Sequence, residues 1–200
     1  MAATDINTMK DMARWDPDSR DRLRQAAIDL YGERGFENTT VAEIAKRAGL
    51  TERTFFRHFA DKREVLFSGS ETLQERLVRK VVEAPASLAP LDAVALGLEA
   101  IGEVLPERAE TSRRRQTIIT ANAELREREL IKLASLSEAL AGALRGRGVE
   151  AAAAGLLAEV GIAVFKTAFG RWIAEGEERD FAQVARESIG ELKMLTGRVP

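Results

Sequence analysis

The chain has 200 residues, no cysteine, 45% hydrophobic and 31% charged residues, and a formal net charge of −2. That length supports a buried core without covalent staples, and the missing thiols exclude disulfide frameworks, thiolate zinc sites and cysteine nucleophiles. A single histidine, His58, leaves histidine-built metal sites and serine–histidine chemistry almost nothing to work with, and no cofactor is implied.

The first 15 residues have no periodic apolar face and read as a loose arm. Asp16 before Pro17 then suits a helix start, and Leu23, Ala26, Ala27, Leu30 and Tyr31 recur at three- and four-residue spacing up to Arg34 and Gly35. Thr39 or Thr40 caps a two-turn helix with Val41, Ile44, Ala45 and Ala48 on one stripe, and Gly49 ends it. Thr51 caps a short helix to Phe59, and Asp61 caps a longer one carrying Val65, Leu66, Leu73, Leu77, Val78 and Val81 toward Pro85. Beyond Pro90 come five longer amphipathic stretches, at about residues 91–105, 107–121, 124–145, 150–175 and 180–197. Alanine, leucine, glutamate and arginine dominate and period-two runs are missing, so the expected fold is all-α with about nine helices. No window holds 18 uninterrupted apolar residues, and charges stand where a signal peptide needs an apolar run. The expected location is therefore cytoplasmic, with no membrane contact.

The informative stretch is 39–67, TTVAEIAKRAGLTERTFFRHFADKREVLF. Two short helices meet at the Ala48–Gly49–Leu50 turn, with small Ala45 where they must approach, which is the pattern of a helix-turn-helix. Phe55 and Phe59 are four apart and belong in the core against Ile44 and Leu30, which leaves Glu52, Arg53, Phe56 and Arg57 outward with Thr51 and Thr54 at the edge. Such a helix fits the major groove of B-DNA. Between Ile44 and Arg63 six basic residues, Lys46, Arg47, Arg53, Arg57, Lys62 and Arg63, face only Glu52 and Asp61, while the remainder of the chain is net acidic. A basic face on an otherwise acidic protein is what phosphate binding requires. Each cation taken alone is also what any solvated helix carries.

These residues resemble the tetracycline-repressor (TetR) family of bacterial transcriptional regulators, from about Ser19 to Phe67, through GERGFENTT followed by VAEIAKRAGLTERTFFRHFADKREVLF. The resemblance implies three N-terminal helices that bind DNA, a fourth that links them to a divergent domain, and a C-terminal domain that dimerises and binds a ligand that releases the operator. It implies domains at 1–15 (arm), 16–65 (helix-turn-helix) and 66–200 (ligand binding and dimerisation). Thr40 resembles the family's phosphate contact at the start of helix 2, Thr54 with its neighbours Thr51, Arg53, Phe56 and Arg57 resembles the recognition positions, His58 a phosphate contact, and Lys62 the basic contact at the next helix start. Phe56 departs from the family's usual tyrosine. It has no phenol to bond a phosphate, so only ring packing against sugar or a thymine methyl is left.

Other readings stay open at several positions. His58 is either a phosphate contact or a surface histidine beside Phe59; Arg53 reads a guanine or holds a phosphate; Glu52 accepts from a cytosine or favours the positive end of the helix dipole. Arg20, Arg22 and Arg24 offer one further phosphate contact, and Lys10 and Arg14 in the arm a minor-groove contact. Specificity usually needs a two-fold dimer with half-sites about 34–36 Å apart. Val160, Val164, Ala168 and Trp172 on one predicted helix and Val184, Ile189 and Leu192 on the next give wide apolar faces for such an interface, with intramolecular core as the alternative. Ile101, Leu105, Ile118, Phe165 and Phe169, with Thr117 and Asn122 as polar anchors, are the candidate effector pocket, although core packing explains the apolar ones equally well. Arg113, Arg114 and Arg115 point in different directions and read as a solvated face.

The sequence therefore predicts a homodimeric, ligand-responsive repressor on a palindromic operator, its partners being double-stranded DNA, a second copy and a small-molecule effector. The rival readings are an architectural DNA-binding protein and a small helical enzyme built on Glu99, Glu103 and Glu110.

Overall fold

Capping residues set the helix boundaries in the computed structural model of the chain, which describes residues 18–105 and 109–197. The arm with Lys10 and Arg14, the predicted helix start at Asp16 and Pro17, and the break at Pro106 lie outside those residues. The helices are α1 Asp18–Arg34, α2 Val41–Arg47, α3 Glu52–His58, α4 Ser70–Glu83, α5 Pro90–Ile101, α6 Ala109–Ala121, α7 Ala123–Gly146, α8 Ala151–Trp172 and α9 Phe181–Thr196. A 3-10 turn, Glu64–Phe67, stands between α3 and α4, and no strand is present among the described residues. The chain is all-helical.

Two units are distinguishable, one ending at Ser68 and one beginning at Gly69. In the first, α1 buries Leu23, Ala27, Leu30 and Tyr31, and Ile44, Phe55 and Phe59 are buried from α2 and α3. Thr40 caps α2 in a capping box: its hydroxyl oxygen accepts from the Glu43 N–H, and the Glu43 carboxylate accepts from the Thr40 N–H. At the other end Gly49, at φ +68°, donates to Lys46 O while Leu50 donates to Ala45 O at 2.8 Å. That pair of bonds is a Schellman turn, which a residue with a Cβ enters only with strain. Thr51 then accepts from the Thr54 N–H and starts α3.

The one long helix predicted from Asp61 to Pro85 is broken. Asp61 Oδ1 accepts the N–H groups of Arg63 (2.8 Å) and Glu64 (3.1 Å), but the segment that follows is a 3-10 turn with Arg63 at its N-cap rather than a long helix. Gly69, at φ +95°, then precedes α4. The turn buries Val65, Leu66 and Phe67, so the apolar spacing runs on across the break and conceals it.

The second unit is a helical bundle with close approaches at two glycines. A Cβ on Gly97 of α5 would stand 2.7 Å from Leu77 Cδ1 and 2.8 Å from Val81 Cγ2 of α4. A Cβ on Gly161 of α8 would stand 2.9 Å from Leu140 Cδ2 and 3.0 Å from Val94 Cγ1. Arg147, the C-cap of α7, donates to the carbonyls of Val81 and Ala84 at the end of α4 and of Pro85 and Leu88 in the loop that follows. By length and composition α8 is the one described helix apolar enough to cross a membrane, and its Ala154, Ala158, Gly161, Ile162, Val164, Ala168 and Trp172 are buried in the bundle.

That burial corrects the expected dimer face. Val164, Ala168, Trp172, Val184 and Ile189 belong to the unit's own core, with Trp172 only 4% exposed, so their surface is consumed within one subunit. Phe165, Phe169, Trp172 and Phe181 interlock as an aromatic cluster with ring centroids 5.8–6.0 Å apart. Val160 and Leu192 are only partly buried. Leu156, Met194 and Leu195 on the same two helices stand exposed, at 68%, 63% and 79%.

Candidate nucleic-acid interface

The seven residues of α3 sort themselves by solvent exposure. Phe55 is fully buried and Phe59, its C-cap, is 4% exposed, with their rings 5.5 Å apart. Burying one such ring contributes about 2–3 kcal/mol, which anchors a helix far too short to persist alone. Glu52, Arg53, Phe56 and Arg57 are exposed, and Thr54 is half-buried. Arg53, Arg57 and Lys46 carry no ion pair among the described residues. Their charge is uncompensated at the surface.

The other cations of the basic stretch are engaged. Arg47 forms a two-pronged ion pair with Glu33 at 2.8 and 3.0 Å, and Arg63 pairs with Asp61 at 2.7 Å. The Lys62 ammonium donates to the carbonyls of Phe36 (2.9 Å), Thr39 (3.1 Å) and Glu37 (3.4 Å) and lies 4.3 Å from the centre of the Phe36 ring. An ammonium has three N–H donors, so all are taken. Lys62 thereby fixes the turn that delivers Thr40 to the start of α2, and Tyr31 donates to Lys62 O at 2.7 Å from the opposite side. Burial, with the Asp61 charge adding to it, pushes the Tyr31 phenol upward, so it stays a donor. Burial acts to raise the Asp61 carboxyl too, but the Arg63 side chain and the backbone N–H groups of Glu64 and Arg63 outweigh it and hold the group low.

Thr40, Thr51 and Thr54 are occupied locally: the Thr40 hydroxyl bonds the Glu43 carboxylate at 2.9 Å, and the Thr51 and Thr54 hydroxyls bond each other at 3.0 Å. Arg34 ties the same Glu43 at 2.9 Å. His58 Nε2 lies 2.8 Å from the hydroxyl of buried Ser19, a partner with no signal in the sequence pattern. Partial burial and then the nearby Arg57 and Arg20 charges push its imidazole below its ordinary value, which favours the neutral ring. Arg20 also stacks 5.6 Å from the Phe59 centroid, and Arg24 pairs with Asp21 at 3.4 Å.

The candidate effector residues belong largely to the packed interior of the second unit. Ile101 is fully buried in the bundle core, while Leu105, Phe165 and Phe169 pack against it. Thr117 donates to Arg113 O within α6, and Asn122, the N-cap of α7, donates to Ile118 O of α6. Arg113 caps the carbonyls of Ile173 and Ala174 at the end of α8 rather than facing solvent freely. An open groove of about 520 Å³ lies elsewhere, lined by Lys80, Leu96, Glu99, Ala100, Gly102, Glu103, Asp180 and Ala182. Glu99 and Glu103, the carboxylates of the enzyme reading, are ion-paired to Arg186 and Arg76, each at 2.6 Å.

Comparison with known proteins agrees with this division. Residues 23–68 match the sequence family described as bacterial regulatory proteins, tetR family, and residues 88–195 match the one described as the MftR C-terminal domain. The HTH-type transcriptional regulator TcmR of Streptomyces glaucescens is 36% identical over 83 residues, 42% of this chain and 37% of its own length. The putative mycofactocin biosynthesis transcriptional regulator MftR of Mycobacterium tuberculosis is 25% identical over 119 residues, 60% of either chain. The chain thus spans less than two thirds of the length of these curated relatives. Among solved structures, the SmeT–triclosan complex shares the fold at a TM-score of 0.63 and 21% identity, over 88% of this chain and 90% of that one; SmeT is the repressor of a Stenotrophomonas maltophilia multidrug efflux pump.

Proposed function

The chain belongs to the TetR family of bacterial regulatory proteins, and from that premise we propose that it is a cytoplasmic, DNA-binding transcriptional repressor that acts as a homodimer on a palindromic operator and releases it on binding a small molecule. The unit up to Ser68 is the DNA-binding domain and the rest is the ligand-binding and dimerising domain. The observation that carries the reading is the two-sidedness of α3: Phe55 and Phe59 are buried while Arg53 and Arg57 stand exposed without an ion pair among the described residues. A short helix anchored on one side and cationic on the other satisfies what a major-groove reader needs. Thr51, Thr54 and Phe56 flank the cations, and Thr40 and His58 stand at the edges as phosphate contacts. Lys62 acts by holding the preceding turn.

Binding of triclosan by SmeT supports a small-molecule effector of the C-terminal domain. An effector needs only differential affinity for the bound and released arrangements, with a coupling of about 1–3 kcal/mol. Selection of bound sequences from a random DNA pool, followed by affinity measurements over a salt series, tests the reading. A two-fold symmetric site, weakened by Arg53→Ala and Arg57→Ala with a shallower salt slope, is the expected result. Coverage with no sequence preference favours an architectural role, and no binding at any salt removes the DNA reading.

A further inference from the structure

Phe56 is the one aromatic side chain among the large apolar residues that stand exposed in the described part of the chain, at 55%. Its ring meets the buried Phe55 ring edge-on, centroids 5.4 Å apart and planes at 82°. The ring thus rests against a core side chain while more than half of it is open. Its helical neighbours on the exposed surface are Glu52 and Arg53, four and three residues earlier, toward the helix start that approaches base edges in a groove-reading helix. A phenyl ring has no donor or acceptor, so it has no hydrogen bond to give a phosphate or a base edge. Among the groups that base pairs present in the major groove, the apolar one is the C5-methyl of thymine.

We propose that Phe56 is a specificity-determining residue that reads one thymine in each operator half-site through its 5-methyl group. The inference rests on α3 entering the major groove, as argued above. It adds a sequence requirement that phosphate contacts cannot impose, since those fix register without distinguishing bases. A ring already held by Phe55 loses little freedom on meeting the methyl, so the contact discriminates despite its small area.

The test uses the full chain and its selected operator, with each thymine in turn replaced by deoxyuridine in both half-sites, which removes only the methyl. One thymine position should weaken wild-type binding roughly fourfold per half-site, the worth of one buried methyl, and tenfold or more for the pair. Phe56→Ala should bind the thymine and uracil operators alike while keeping the salt slope of the wild type. Uniform weakening by Phe56→Ala with no methyl-dependent position means packing on sugar and overturns the inference, as does a methyl effect that persists in the variant, or an operator with no sensitive thymine. The uracil series on the unmodified protein is independent of how the variant folds, so an operator with no sensitive thymine overturns the inference by itself. Failure to bind any duplex falls instead on the DNA-binding reading itself.

Discussion

The hydroxyl of Ser19, at the start of α1, lies 2.8 Å from Nε2 of His58, the last residue of α3. This bond ties the start of α1 to the end of α3, and the imidazole that makes it is held below its ordinary value of 6.5 by partial burial first and by Arg57 and Arg20 after it. With the folded value below the unfolded one, the unfolded chain binds the proton more readily. The stability this confers is fully present above about pH 6.5 and is lost as the pH falls through the lower folded value. Thermal unfolding of the wild type should therefore shift to lower temperature between pH 7 and pH 5. His58→Gln, which keeps a polar partner for Ser19 but does not titrate, should flatten that part of the curve. An equally steep loss in both proteins would place the pH dependence elsewhere.

Lys62 carries a sharper distinction. Its three N–H donors are matched by the carbonyls of Phe36, Glu37 and Thr39, so it reaches a phosphate only by abandoning them. Lys62→Met keeps the aliphatic stem and removes the charge. We expect a stability loss of about 1–3 kcal/mol from the lost charged hydrogen bonds, weaker operator binding, and an unchanged dependence of log affinity on log salt. A phosphate contact would instead lower that slope by roughly one. Equilibrium denaturation and a salt titration of the same variant separate the two roles.

The features legible in the sequence were those with local causes. Thr40, Thr51 and Asp61 accept backbone N–H groups where short polar side chains precede apolar runs, and Gly49 takes the positive φ that the turn demands. The four-residue spacing of Phe55 and Phe59 suffices to place both in the core. What escaped depends on partners distant in sequence or on an ambiguity of periodicity. The break at Gly69 is hidden because a 3-10 turn buries Val65 and Leu66 much as a helix would. The wide apolar faces of α8 and α9 mark burial without saying by what, and for Trp172 and Val184 the covering is the subunit's own core. Ser19 and the carbonyls around Lys62 offer no pattern to read.

Gly97 and Gly161 mark places where helix backbones approach too closely for a methyl group. A Cβ on Gly97 would also stand 3.1 Å from the Leu77 carbonyl oxygen, which yields less readily than a side-chain tip. Gly97→Ala should destabilise the chain by about 1–3 kcal/mol through overpacking, outweighing the gain in helix propensity. Gly155 has no atom within 4 Å of a Cβ, so Gly155→Ala should be neutral or stabilising by up to about 1 kcal/mol. Chemical denaturation of the two variants side by side checks the contrast, and equal effects would contradict the close packing of α4 on α5.

The remaining apolar surface of α8 and α9 directs the dimer proposal to new residues. Eight residues connect the two helices, and Arg171 of α8 bonds Ser188 and Glu191 of α9. Leu156 of α8 and Met194 and Leu195 of α9 are the exposed large apolar side chains of these two helices. Leu156→Glu with Leu195→Glu puts two carboxylates per subunit into any apolar contact formed there, and a buried unpaired charge costs several kcal/mol. Sedimentation should show a dimer for the wild type and a monomer for the double variant, with helical content unchanged because neither leucine contributes to the subunit core. Trp172→Ala should behave oppositely, losing about 3–5 kcal/mol of folding stability from a site buried within one subunit. A double variant that remains dimeric would move the two-fold contact to another face, and a wild type that sediments as a monomer would end the palindrome argument altogether.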